Sequence, residues 1–339
     1  MKRIGNLYEK IIAVENLQLA DQKARRGKLR SYGVRRHDKN REANILALHE
    51  ALKNKTFKTS KYETFIIKDP KEREIYRLPY FPDRIVHHAI MNILEPIWVS
   101  VFTTDTFSCI KNRGINGCML KVDKALKDVE NTRYCLKIDV KKFYPSIDHD
   151  VLKQIVRRKI KCPDTLALLD QIIDSAAGVP IGNYLSQYFA NLFLAYFDHW
   201  IKEEVGLKYY FRYADDMVFL HKDKAFLHDL LTRIDAYLRD NLHLTIKANY
   251  QVFPIAKNRS DKHGRGLDFV GFVFYHEHKL IRKSIKKNFC RAVARLNKQP
   301  NLSAKDYKQG VCSWLGWAKH SNSKHLLKTI IKPSFYGNL

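Results

Sequence analysis

The sequence predicts an α+β chain, with strands concentrated in its middle and helices gathered at both ends. Runs of β-branched and aromatic residues at 62–68, 134–140, 209–220 and 269–275 are bounded by turn-forming or polar residues, as strands are. Apolar residues recur at helical spacing over 85–98 and again over 186–204. The first 60 residues, and the chain from Lys279 onward, are basic and carry helical patterns.

Composition bounds the function before any motif is considered. With 339 residues and 45% hydrophobic content there is material for a sizeable core, and at about 100–200 residues per domain the length gives two or three structural units. Lys and Arg number 61 against 35 Asp and Glu, a formal charge of +26. Such an excess points to a polyanionic partner, with nucleic acid first and an anionic membrane surface second. The 18 Tyr, 18 Phe and 4 Trp exclude a wholly disordered chain. No apolar run reaches the roughly 18 residues of a spanning helix, and Glu9 and Glu15 interrupt the start of the chain, which therefore lacks the apolar segment of a secretory signal. The expectation is a cytoplasmic protein with no membrane partner. Cys109, Cys118, Cys135, Cys162, Cys290 and Cys312 form no C-x-x-C pair and no zinc-ligand spacing, which leaves reduced, incidental thiols. Phosphate-binding glycine loops and H-E-x-x-H are absent.

In chain order, nine Lys and Arg fall between Lys23 and Arg41 with Asp38 as the acid among them; this is either a solvated face or a phosphate-contacting one. A helix follows over 42–52, with Ala43, Leu46, Leu48 and Leu52 as its apolar positions. Residues 62–68 and the basic stretch after the Asp69-Pro70 turn, carrying Lys71, Arg73 and Arg77, form a basic hairpin. Asp83 is expected to cap the helix over 85–98. In the strand 134–140, alternation places Leu136, Ile138 and Val140 on one face and Cys135, Lys137 and Asp139 on the other. Asp148 caps a short basic helix running to Lys159. The loop from Gly178 to Gly182 feeds a helix over 186–204, whose stripe of Phe189, Leu192, Phe193, Tyr196, Phe197, Trp200 and Ile201 is core. Residues 209–220 form a hairpin with Asp215 and Asp216 at its tip. A helix over 226–238, a strand over 244–250, a hairpin near 269–275 and a basic helical segment from Lys279 complete the chain.

The chemistry rests on carboxylates. Adjacent Asp215 and Asp216 in a turn flanked by aromatic and apolar residues are costly without a counter-charge. Alone they could be ordinary polar turn residues. With Asp139 at an upstream strand end they form a set of hard oxygen ligands, suited to two Mg²⁺ ions in phosphoryl transfer, with Mn²⁺ as a possible substitute.

These residues resemble the reverse transcriptases. Tyr213-Ala-Asp-Asp216 resembles the family's Y-x-D-D signature, and Asp139-Val-Lys-Lys-Phe-Tyr144 the carboxylate motif that precedes it. Gly182-Asn-Tyr-Leu-Ser-Gln187 ends in Ser-Gln, as in the reverse transcriptases of diversity-generating retroelements, where retroviral and group II intron enzymes end in Ser-Pro. Asn6-Leu7, Gly27-Lys28, Tyr62-x-x-Phe65, Asp83-Arg-Ile-Val86 and Ser313-Trp-Leu-Gly-Trp-Ala-Lys-His320 extend the resemblance to nearly the whole chain.

The resemblance implies a right-hand polymerase fold. A basic helical N-terminal extension would span 1–60 and the fingers 61–130. The palm would span 131–275, with inserted finger helices at about 149–175, and a helical thumb 276–339. It implies RNA-directed DNA polymerase activity, with dNTPs as substrates, a template RNA, a cDNA product in an RNA–DNA duplex, and a small basic accessory protein. Asp139, Asp215 and Asp216, with Val140, would hold the metals. Tyr144 would exclude a ribose 2′-hydroxyl, and Ile181, Gly182, Ser186 and Gln187 would line the nucleotide site. Arg73, Arg77, Lys111 and Arg113 are candidates for the triphosphate, although Ile110 stands where an Arg is common. Phe269 and Gly271 resemble the hairpin that holds the primer end, and Arg282, Lys283, Lys286 and Lys287 would follow the duplex backbone. Tyr250 occupies the position of a Lys that many relatives use as general acid; Lys247 could replace it or be a surface lysine. The alternatives are a phage-defence or retron-type reverse transcriptase, and a non-catalytic RNA-binding chaperone.

Overall fold

The computed structural model describes residues 3–68 and 72–333, so Lys71 and the Asp69-Pro70 turn lie outside the described residues. The chain separates into two compact units. The first comprises Met1–Lys111, Ile138–Met217 and Thr232–Asn249; the second comprises Asn112–Lys137, Val218–Leu231 and Tyr250–Leu339. No helix among the described residues is long and apolar enough to cross a membrane.

The first unit opens with α1 (Tyr8–Ile12), α2 (Val14–Ala24), α3 (Tyr32–Asp38) and α4 (Arg41–Lys53). Its centre is α5 (Ile85–Val99), which packs along α2 and also meets α1. Leu17, Ala20, Ile85, Val86, Ala89 and Ile90 are wholly buried there. Asn16 fixes the crossing by donating to the Ala89 carbonyl at 3.1 Å, and Lys23 donates to Asn92 at 2.6 Å. On α4, Ile45 joins Leu48 and Leu52 in the core, while the expected Leu46 is exposed.

Two expectations about this region are corrected. Asp83 is not the cap of α5: it sits in a π-type turn over Tyr80–Arg84, is fully buried, and accepts from the Ser60 amide at 2.9 Å. The basic run is not opposed by Asp38 alone. Buried Asp21 takes Arg25 and Arg41, each at 2.7 Å, so part of that charge is spent inside the fold.

A two-stranded ribbon, β1 (Glu63–Ile67) with β2 (Arg73–Arg77), pairs antiparallel with Glu63 opposite Arg77. Every residue of β1 is exposed. Further along come α6 (Gly114–Ala125) in the second unit, then β3 (Tyr134–Asp139), α7 (His149–Arg157) and α8 (Pro163–Ile173). Asp148 caps α7 as its sequence demands, accepting from Val151 N at 3.0 Å. The expected helix over 186–204 starts earlier and is broken: α9 (Tyr184–Phe193), α10 (Ala195–His199) and a π-type turn at Trp200–Glu204. Its stripe is core at Phe189, Leu192, Phe193, Phe197 and Ile201, and half-buried at Tyr196 and Trp200.

Strands β4 (Tyr209–Tyr213) and β5 (Asp216–His221) form the expected hairpin, followed by α11 (Lys224–Leu242). They join a four-stranded sheet of order β4-β5-β3-β6, with β6 at Gln251–Pro254. The expected strand over 244–250 is not formed. After a left-handed residue at His243 the chain makes one bridge, Ile246 to Val140, and then turns at Ala248 and Asn249, so ladder pairing to β3 resumes at Gln251.

In the second unit, β7 (Leu267–Phe269), β8 (Phe272–Phe274) and β9 (Lys279–Ile281) make a small antiparallel sheet. Helices α12 (Lys283–Asn297), α13 (Ala304–Lys319) and α14 (Lys324–Ile330) follow, around a core of Phe289, Val293, Tyr307, Val311 and Ala318. Lys279 therefore opens a strand, and the helical segment begins at Lys283.

Candidate active site

Asp139 ends β3, and Asp216 opens β5 after a turn carrying Ala214 and Asp215. All three are half-buried. The chain beyond α11 locks Asp139 in place: Lys247 N donates to the Asp139 carbonyl at 2.9 Å and Lys141 N to the Thr245 carbonyl at 2.8 Å, on either side of the Val140–Ile246 bridge. This register brings Lys247 Nζ onto Asp139 Oδ2 as an ion pair, so Lys247 is a half-buried partner of the carboxylate and not a surface lysine. Asp139 Oδ1 is buried and receives no hydrogen bond from the described residues. Burial, reinforced by the neighbouring Asp139 carboxylate and opposed by Lys247, pushes the Asp215 carboxyl up to about 7.

Two carboxyl groups in repulsive proximity, one with an orphaned oxygen, suit a hard divalent cation. Among the described residues no set of three or more His, Cys, Asp or Glu side chains forms a closed metal site. Mg²⁺ needs none: it is held through one or two carboxylates, water and substrate phosphates. The donor set therefore fits such an ion.

The hairpin rests on a buried polar network. Arg212 is fully buried in β4 and donates to both oxygens of Asp198, at 2.7 and 2.6 Å. Asp198 also accepts from Tyr210 at 2.6 Å and Thr106 at 2.7 Å. Arg212 Nη1 reaches the Ala214 carbonyl at 3.0 Å and Asn191 Oδ1 at 3.2 Å. Ala214 has φ 55°, a left-handed conformation that a non-glycine residue adopts at a cost. The Arg212 bond to its carbonyl thus fixes the turn that aims Asp215. Burial of the guanidinium is outweighed by Asp198, which holds Arg212 charged above its ordinary range.

Tyr144 begins a single 3₁₀ turn, Tyr144–Ser146. Its hydroxyl is pushed up, first by burial and then by Cys109 and Asp215, against the pull of Arg212 and Arg73. Gly182, at φ 125°, lies against β2; Ile181 accepts from Tyr76 N at 2.8 Å, and a Cβ on Gly182 would run into the Tyr76 carbonyl. Gln187 is exposed, whereas Ser186 is buried with its hydroxyl given to the Pro180 carbonyl at 2.6 Å. Arg73 is exposed; Arg77 is paired across the ribbon with Glu63; Lys111 is exposed.

The remaining candidates belong to the second unit. Arg113 is half-buried ahead of α6. Phe269 is buried at the end of β7, and Gly271, at φ 88°, turns the chain into β8, where a side chain would strike Trp317. Arg282 precedes α12 and pairs with Asp268 at 2.5 Å, so it is not on the helix; Lys283, Lys286 and Lys287 are exposed on it.

Sequence reasoning missed Arg212, Asp198, His149 and the Lys247–Asp139 pair. An Arg inside Tyr-Tyr-Phe-Arg-Tyr, and an Asp inside an apolar helical stripe, were the available signals, because unpaired charges are not buried.

Comparison with known proteins decides the family. Residues 67–254, more than half of the chain, match the family model described as reverse transcriptase (RNA-dependent DNA polymerase). The chain belongs to the reverse transcriptase family. This reverse transcriptase is 23% identical over 295 residues to protein YkfC of Escherichia coli (strain K12), covering 74% of the chain and 73% of that protein. It is 23% identical over 173 residues to the group II intron-encoded protein LtrA of Lactococcus lactis, covering 47% of the chain and 28% of LtrA. Among solved structures, apo telomerase from Candida tropicalis truncated from its C-terminal domain matches with TM-score 0.50 and 13% identity, over 65% of this chain and 55% of that one. A second structure of apo telomerase from the same organism gives TM-score 0.50 over 80% of this chain and 58% of that one. The chain thus spans little more than half of each telomerase chain, and the likeness is one of fold: the right-hand polymerase fold.

Proposed function

We propose that this reverse transcriptase copies a template RNA into cDNA by two-metal nucleotidyl transfer, and that it serves a diversity-generating retroelement. The placement of Asp139 at the end of β3, beside the β4–β5 hairpin whose tip carries Asp215 and Asp216, supports this most directly. Asp139, Asp215 and Asp216, with the Val140 carbonyl, are the groups that would hold Mg²⁺. When bound, the ions would make the primer 3′-hydroxyl a better nucleophile and stabilise charge on the departing pyrophosphate.

The chain's own residues supply the rest. Arg212 and Ala214 keep Asp215 aimed. Tyr144 stands under the incoming sugar and excludes a 2′-hydroxyl. Gly182, Ile181 and Gln187 border the nucleotide, and Arg73, exposed on β2 where Arg77 is taken by Glu63, is the basic residue of the ribbon best suited to the triphosphate. Phe269 and Gly271 would hold the primer end, and Lys283, Lys286 and Lys287 the duplex backbone. The organisation into N-terminal extension, fingers, palm and thumb at the boundaries given above is part of the same reading, as are template RNA, dNTPs and a small basic accessory protein as partners. The Ser186-Gln187 ending and the Ser313 to His320 segment support the retroelement setting over the group II intron one.

Extension of a primed RNA template by Asp215→Ala and wild type tests the chemistry; equal rates overturn it. Sequencing of the product tests the setting: errors concentrated at template adenines are expected, and a uniform, low error rate points to the phage-defence or retron alternative.

A further inference from the structure

We propose that His149 is a positioning residue for sugar selection, acting through the Gly178 carbonyl on the backbone that carries Tyr144. The inference rests on the reading of Tyr144 as the sugar-excluding residue, and it concerns residues which that reading leaves unused.

Tyr144 stands on one short 3₁₀ turn, closed by Ser146 N on the Lys142 and Phe143 carbonyls at 3.0 and 3.1 Å. The Tyr144 carbonyl itself is held from outside the turn, by the loop leading to Gly182. Val179 N donates to the Tyr144 carbonyl at 2.8 Å. Gly178, at φ 59°, lies so close that a Cβ there would come within 2.6 Å of the Tyr144 carbonyl oxygen and 2.5 Å of that of Pro145. Loop and turn are therefore in direct backbone contact, and neither moves without the other.

The loop is in turn pinned by His149. Its Nε2 lies 2.8 Å from the Gly178 carbonyl oxygen, and since a carbonyl can only accept, Nε2 is the donor. Its Nδ1 lies 3.1 Å from Asp174 Oδ1, and the other oxygen of Asp174 takes Lys153 at 2.7 Å. His149 is the first residue of α7, whose start is fixed by the Asp148 cap. The far end of the loop is held separately, by Tyr76 N on the Ile181 carbonyl and Ser186 on that of Pro180. His149 is thus the side-chain anchor at the end of the loop that touches Tyr144.

A ribose and a deoxyribose differ by one oxygen, so discrimination depends on the depth of the Tyr144 ring to a fraction of an ångström. Displacements of about 1 Å are worth about 10²-fold in rate. Without the His149 donor, the Gly178 peptide is free to lift and the turn to follow it, which opens room for a 2′-hydroxyl.

The test is single-nucleotide addition on a primed RNA template, with kcat/KM measured for each dNTP and its matching rNTP. His149→Phe keeps the ring and removes the donor; it is expected to lower the dNTP:rNTP ratio about 10-fold, chiefly through faster rNTP addition, with dNTP addition within about threefold of wild type. His149→Gln restores a donor and is expected to recover most of the ratio. Tyr144→Ala relaxes the ratio by itself, and adding His149→Phe to it changes the ratio less than about twofold, because the two act through one contact. An unchanged ratio in His149→Phe, no recovery in His149→Gln, or a fully additive double variant overturns the inference while leaving the role of Tyr144 standing. An unchanged ratio in Tyr144→Ala overturns the sugar-exclusion reading itself. Should His149→Phe not fold, Asp174→Asn loosens the same anchor from behind, with a drop of about threefold expected and an unchanged ratio again overturning the inference.

Discussion

Two hairpins in this molecule use arginine in opposite ways. In the ribbon of β1 and β2, Arg73 and Arg77 stand on strands that bury almost nothing, and Arg77 meets Glu63 in water. In β4, Arg212 is fully buried and every contact named above is to the protein's own chain: Asp198, Asn191 and the Ala214 carbonyl. The difference teaches where a polymerase site puts rigidity. The carboxylates need fixed positions before substrate arrives, so their turn is braced by a desolvated network. Under the proposed function, a cation that meets a triphosphate must stay accessible, and Arg73 stands exposed on a ribbon whose isolated stability is marginal.

The sharpest way to break this comparison is at the tip of the braced hairpin. Asp215→Asn keeps its shape and is expected to reduce primer extension by about 10³-fold or more, a loss of several kcal/mol of transition-state stabilisation. The same variant sharpens the electrostatics. The folded-state pKa of Asp215, about 7, lies above the ordinary value of 3.8, so the wild type gains stability as pH falls from about 7 toward 4 and loses it as the group ionises. Without divalent ions, Asp215→Asn should therefore melt higher than wild type at pH 8, and the gap should close as the pH is lowered.

Next in size is the brace. Arg212→Met strands Asp198 in the core and is expected to cost about 3–5 kcal/mol in denaturant unfolding, with part of the loss recovered when Asp198→Leu is added. If the single variant unfolds like wild type, the hairpin is not held by this network. A smaller effect is expected at Lys247, whose ammonium balances Asp139. Lys247→Met should destabilise the metal-free protein by about 1 kcal/mol, and millimolar Mg²⁺ should erase the difference in melting temperature. The smallest belongs to the ribbon: Arg77→Ala should change stability by less than about 0.5 kcal/mol, because an exposed pair is screened and flexible.

The same contrast explains what the sequence made legible. Asp139, Asp215 and Asp216 stood out because acids at strand ends and turns among aromatics break the local pattern, and the hairpin at 209–220, the helix from Ile85 and the Asp148 cap followed from short-range periodicity and capping chemistry. What escaped depends on long-range closure. Arg212 finds Asp198 across 14 residues and Asn191 across 21, and Lys247 finds Asp139 across 108, partnerships that no local window contains. Residues 244–250 look like a strand because their composition suits one, yet the chain is committed to a bridge at Ile246 and a turn at Asn249. Asp83 looks like a cap by its position before an apolar helix, but tertiary packing gives its carboxylate to Ser60. Lys279 and Arg282 look helical because basic residues continue smoothly there, while the pairing of β8 with β9 claims the chain first.

The packing of α5 against α2 sets a practical limit on how this enzyme can be trimmed. Any version beginning at residue 61 would remove α1 and α2, with the buried Leu17 and Ala20, from beside α5, on which Ile85, Val86, Ala89 and Ile90 are buried. It would also leave Tyr80 without the Asp21 carboxylate that its hydroxyl meets at 2.5 Å. Such a shortened polypeptide would present an oily stripe in place of a basic surface, and would be recovered from cells as insoluble material.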